Sequence, residues 1–214
     1  MEEDDNMSAR KGTRNTLFNM HFQSENISEK IAAYLNVFLP NDNNRPVLIV
    51  CVGTDRSTGD ALGPIIGSML MEKDTCPFHI YGTLDDPIHA VNLVEKIESI
   101  HRKYENPFII AVDACLGRMK NVGNIQIIDG PLKPGAGVRK KLPHVGHIHI
   151  TGIVNMGGFM EFVVLQNTRL SITMNMAKKI AEGIYTASIT NKQKHTLLSI
   201  DRNDHNDEKE ISSL

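Results

Sequence analysis

Asp60 and Asp113 are the side chains best placed by type and spacing to do chemistry. Asp60 lies in "CVGTDRSTGDALGP" (residues 51–64), and Asp113 ends the apolar run "PFIIAVDA" (residues 107–114). A carboxyl group at the end of an apolar strand must be paired or solvated, because burying it alone is costly. Two carboxyls held close cannot both ionise cheaply, so they share a proton and can act as acid and base together. Water activated by such a pair can hydrolyse a peptide bond. Asp60 also stands where it could cap a helix starting at Ala61, accepting backbone N–H bonds at the positive end of the helix dipole. Capping would favour the ionised form and work against proton sharing.

Other clusters compete for attention. Asp55 and Arg56 read as an ordinary loop ion pair. A phosphate-binding loop would end in Gly-Lys-Ser/Thr, whereas here the matching place is Gly59-Asp60-Ala61, which puts a negative charge where phosphate would sit. The segment "PLKPGAGVRKKLPHVGHIHITG" carries the basic run Arg139, Lys140 and Lys141, which reads either as a solvated loop or as a guide for a peptide substrate. His147 and His149 alternate along a predicted strand and so share a face, compatible with a metal site beside an aspartate. Cys115, next but one to Asp113, is a conceivable thiol nucleophile, but no sequence feature marks a base for it.

These residues need a scaffold. "SENISEKIAAYLNVFL" has Ser and Asn cap candidates and apolar residues at helical spacing. "PVLIVCVG" is apolar on both faces, the mark of a strand in a covered parallel sheet. "GDALGPIIGSMLME" reads as a helix, with Pro64 tolerated in its first turn. "FHIYGT" is a second strand. "DDPIHAVNLVEKIESIHRKY" reads as a helix capped by Asp86, with Pro87 in its first turn. "PFIIAVDA", "GNIQIID" and "GHIHITGIV" supply three more strands, and "GGFMEFVVLQN" and "RLSITMNMAKKIAEGIYTA" two closing helices. The order predicts an α/β fold, a three-layer α/β/α sandwich around a mostly parallel sheet. Right-handed crossovers constrain the layout, and if strands 2 and 3 lie on opposite sides of strand 1 the order begins 2-1-3, with the switch point between the carboxyl ends of strands 1 and 3. That is where Asp60 and Asp113 meet.

Composition narrows the classes. The chain has 214 residues, a hydrophobic fraction of 41% and a formal net charge of −2, so one domain with a real core is expected and no global field draws it to nucleic acid or an anionic membrane. Three cysteines suit free thiols in a reducing compartment better than a disulfide framework. The opening "MEEDDNMSARKG" has no secretory pattern and no apolar run is long enough to span a bilayer, so a cytoplasmic protein is expected. Residues 1–23 and 189–214 read as flexible tails flanking a domain over 24–188.

The segments "GDALGP", "AVDACLGR" and "GNIQIIDGPLKPGAGVRKK" resemble those of the germination protease of endospore-forming bacteria, an aspartic endopeptidase of spore proteins. The core from Pro46 to Ala187 is more similar still to the small YyaC-type sporulation proteins. The resemblance implies that Asp60 and Asp113 correspond to the essential pair. It also implies a phosphorylase/hydrolase-like fold shared with hydrogenase-maturation endopeptidases, whose equivalent acidic positions help bind nickel with a histidine. It implies a protein or peptide substrate, with small acid-soluble spore proteins as candidates and a developing spore as the setting. Neither nucleic acid nor membrane is an expected partner, and a homo-oligomer stays open. No cofactor is expected under the aspartic reading; a divalent metal held by Asp60, Asp113 and His147 or His149 is the alternative. A third reading keeps the cleft for binding a peptide or partner without catalysis.

Overall fold

The computed structural model describes residues 16–42, 44–134 and 142–211. The chain runs β1 (Thr16–His21), α1 (Ile27–Phe38), β2 (Val47–Cys51), α2 (Leu62–Met71), β3 (His79–Tyr81), α3 (Leu93–Lys103), β4 (Phe108–Gly117), β5 (Asn124–Asp129), β6 (Ile148–Met156), α4 (Glu161–Gln166) and α5 (Leu170–Ile211). The six strands form one sheet in the order β1-β5-β6-β4-β2-β3. β6, β4, β2 and β3 pair in parallel, while β5 runs antiparallel to both β6 and β1.

Every residue of β2 is buried, as a strand covered on both faces requires. Alternation then sorts its side chains: Val47, Ile49 and Cys51 join the core under α1, α2 and α5, whereas Leu48 and Val50 join the core under α3. The sheet is therefore the middle layer of an α/β/α sandwich, as the sequence pattern predicts. Burying each Leu or Ile of these cores stabilises the fold by roughly 1.5–3 kcal/mol. The first five residues of β4 are buried and the rest only half-buried, so Asp113 is the residue at which the strand leaves the core. The three-strand order β3-β2-β4 is the expected 2-1-3 arrangement, which puts the switch point between β2 and β4.

Three local expectations are corrected. Residues 16–21, read as tail, form β1 on the sheet edge: Phe18 is buried and meets Tyr34 of α1 edge-on, with ring centroids 5.1 Å apart. α3 begins at Leu93 after Asn92, not at Asp86. Asp86 instead binds Lys96 Nζ at 2.7 Å, and Asn92 fastens the preceding turn by accepting from His89 N–H and donating to the Pro87 carbonyl. Finally, the predicted carboxyl-terminal tail continues α5 as far as Ile211. Among the described residues, no helix is long and apolar enough to cross a membrane.

Candidate functional site

The turn after β2 is held by its backbone. Val52 N–H donates to the Val112 carbonyl of β4 at 2.7 Å, and Gly53 N–H to the Ile88 carbonyl at 2.8 Å. Gly53 has φ +147, and a Cβ there would collide with the Asp60 carbonyl oxygen, so only glycine lets the turn close so tightly. Gly59 N–H donates to the Leu165 carbonyl of α4 at 2.9 Å. A Cβ on Gly59 would lie 2.8 Å from the Leu165 side chain. The glycines therefore pin the segment just before Asp60 between β2 and α4.

Asp60 does not cap α2. The N-cap position is Ala61, and no side chain bonds the helix start there. Asp60 is half-buried, and burial pushes its carboxyl above the usual carboxylate range. The nearby Ser57 hydroxyl favours the ionised form, but the contact falls short of full hydrogen-bond geometry, so burial dominates.

Asp113 reaches the same place from β4. Its carboxyl is pushed well above the usual range, first by desolvation and then by the negative charge of Asp60. One of its oxygens, Oδ1, accepts the Ala114 N–H at 2.8 Å, which offsets part of that effect. The Val52–Val112 backbone bond sets the Asp60 turn beside the end of β4, close enough for the Asp60 charge to act on Asp113. Of the two, Asp113 is raised the more, and carboxyls coupled in this way titrate as a pair rather than one by one.

Two further residues belong here that sequence reasoning passed over. Thr151 of β6 stands in register with Asp113 on the same face, and Ser57 lies in the Asp60 turn. Both hydroxyls are buried, and neither has a hydrogen-bond partner among the described residues. Such hydroxyls cost stability when left unpaired, which fits a place kept for a ligand group. The signal in the sequence is the alternation of His149 and Thr151 along β6. Beyond Thr151, Asn155 Nδ2 bonds the Val164 carbonyl and Thr168 Oγ1, tying α4 to the end of β6.

The histidines separate. His147 Nδ1 accepts from Ile109 N–H at 3.1 Å, and its Nε2 faces Arg45 at 3.0 Å. Burial, with the Arg45 charge second, keeps its pKa below the usual histidine value. Ile109 precedes Asp113 by four residues, about 13 Å along the strand, so His147 belongs to the far end of the sheet. His149 is buried beside Ala111 with Nδ1 2.8 Å from the Gly130 carbonyl, on the face that carries Asp113. Among the described residues, no three His, Cys, Asp or Glu side chains are grouped to hold a metal ion. Cys115 is half-buried two residues beyond Asp113, and the three cysteines are free thiols. Arg139, Lys140 and Lys141 lie outside the described residues.

The geometry is that of a carboxyl pair at the switch point of an α/β/α sandwich. A family described as "Protein of unknown function (DUF1256)" matches residues 19–183, and the chain belongs to it. It is 54% identical over 175 residues to "Uncharacterized protein YyaC" of Bacillus subtilis (strain 168), a match covering 82% of this chain and 85% of that one. Among solved structures it is similar to the [NiFe] hydrogenase maturation protease HycI from Thermococcus kodakarensis KOD1, at 17% identity and a TM-score of 0.42 over 71% of this chain and 98% of that one.

Proposed function

We propose that the protein is an endopeptidase in which Asp60 and Asp113 activate water for attack on a peptide bond. The observation that carries this reading is the placement of Asp60, in the turn after β2, beside Asp113 at the end of the neighbouring β4, where burial and the Asp60 charge both push the Asp113 carboxyl up. In the active form the pair holds one proton. Ionised Asp60 takes a proton from water as the water oxygen bonds to the carbonyl carbon. Protonated Asp113 hydrogen-bonds the developing oxyanion and passes its proton to the leaving amine as the C–N bond breaks. The buried Ser57 and Thr151 hydroxyls are available to orient the water or the substrate carbonyl. The resemblance of "GDALGP" and "AVDACLGR" to the germination protease supports this assignment, and with it small acid-soluble spore proteins as substrates and the cytoplasm of a spore-forming cell as the setting.

A metal-dependent route is the second reading, and one observation favours it: His149 lies on the Asp113 face, two residues before Thr151. The test is cleavage of purified small acid-soluble spore proteins by the wild type and by Asp113→Asn, read by mass spectrometry with and without chelator. Discrete cleavage lost in the variant and indifferent to chelator supports the carboxyl pair alone. Chelator-sensitive cleavage transfers the assignment to a metal, and no cleavage under any condition transfers it to a binding role.

A further inference from the structure

At the opposite end of the sheet, an open cleft of about 400 Å³ lies between the segment leading into β2, the start of β3 and α5. Its volume is in the range of sites for small organic ligands. Val47, on its wall, is five residues from the start of the Asp60 turn at Val52, about 17 Å along the strand. The cleft is therefore separate from the carboxyl pair.

Its charge is lopsided. Arg45, Lys192, His79 and His195 line it, against the single carboxylate of Asp42 among the described lining residues. One Asp42 oxygen is already engaged by the Asn44 N–H at 2.9 Å. Among the described residues Arg45 has no counter-ion and is held by neutral groups: its Nε donates to the Asn106 carbonyl at 3.1 Å, and its guanidinium lies 5.3 Å from the centre of the Phe108 ring. None of the described ion pairs includes Arg45, Lys192 or Asp42. A guanidinium immobilised by neutral partners has lost its rotational freedom before any anion arrives, so less is lost when one binds. Nearby, Lys103 adds to the positive field at His79 and, after burial, helps keep that ring neutral. Lys194 stands at the rim on Asn41.

We propose that this cleft binds a small phosphate-class oxyanion carrying at least two negative charges, with Arg45 as the fixed donor and Lys192 as the mobile one. Two cations flanked by two protonatable imidazoles match clustered charge on one small molecule. An incoming anion would also favour protonation of His79, giving the site a signature that simple screening of surface charge lacks.

The experiment is calorimetric titration of the full chain at low ionic strength with inorganic pyrophosphate, with adenosine diphosphate and with citrate, alongside NMR titration of the His79 and His195 rings. The expected result is one saturable site for pyrophosphate in the low-millimolar range or tighter. It should be weakened about tenfold or more by Lys192→Gln and by Arg45→Gln, be unchanged in Asp113→Asn, and come with a raised His79 pKa. Tighter binding of adenosine diphosphate assigns the phosphate to a nucleotide, and tighter binding of pyrophosphate assigns it to an inorganic source. Absence of binding, equal binding by the Lys192→Gln variant, or a preference for citrate overturns the proposal. Lys192 is exposed, so that variant keeps the test valid even where Arg45→Gln disturbs the fold.

Discussion

Asp113 of β4 and Thr151 of β6 are register partners on one face of the sheet, and the Thr151 hydroxyl is buried without a hydrogen-bond partner among the described residues. A residue kept only for stability would gain from losing that hydroxyl. Thr151→Val is thus expected to leave stability unchanged or raise it by up to about 1–3 kcal/mol in urea unfolding, while slowing peptide hydrolysis. A variant as active as wild type would remove Thr151 from the site.

The carboxyl pair makes a kinetic prediction. Asp60→Asn and Asp113→Asn should each lower the hydrolysis rate by about 10²–10⁴-fold, the usual weight of a general acid or base. The wild-type rate should fall as pH drops through the raised Asp60 titration and fall again as Asp113 deprotonates at higher pH. Rates across pH, measured for wild type and both variants, check the assignment; one limb should vanish in each variant's residual activity.

Stability should depend on pH with the opposite sign to an ordinary salt-bridged aspartate. Because the folded state holds the Asp113 proton more tightly than the unfolded state does, the contribution of Asp113 to stability is fully present below the unfolded carboxyl pKa of about 3.9. It is lost as pH rises from there through the raised folded value. Asp113→Asn removes this dependence, so the variant should melt higher than wild type at pH 7, with the gap closing toward pH 4. Melting curves at several pH values give the answer, and a wild type more stable than the variant at neutral pH would contradict it.

Gly53 fixes where Asp60 is held. Gly53→Ala pushes a methyl into the Asp60 carbonyl at a positive φ, which should cost about 1–3 kcal/mol of stability and displace the carboxyl from its partner. Urea unfolding together with the hydrolysis rate would show both losses.

The amino-terminal strand is also testable. Phe18 is buried against α1, and β1 covers the edge of β5. Phe18→Ala should cost about 3–5 kcal/mol, and the uncovered β5 edge should promote association, visible in light scattering.

Sequence and structure divide these findings by the range of the forces involved. Continuous apolar runs at residues 47–51 and 108–112, bounded by turn signals, read as covered strands, so the α/β/α sandwich was legible from hydrophobic pattern, whereas the 2-1-3 order that sets β2 beside β4 was a condition that the tertiary structure met. β1 was not legible, because its six residues bury one large side chain and owe their strand to pairing with β5, more than a hundred positions away. The start of α3 was misread because Asp86 and Pro87 satisfy the local rules for a cap, whereas Asn92 and the Val52–Ile88 bridge hold that turn through tertiary contacts. The spacing of His147 and His149 implied a shared strand face, yet His147 lies just before β6 and stacks on Phe108 at the Arg45 end, while His149 pairs with Ala111 on the Asp113 face. Spacing along a chain sets which side of an element a residue occupies; which groups surround it, and therefore whether its proton stays or leaves, is decided by elements that fold in from elsewhere.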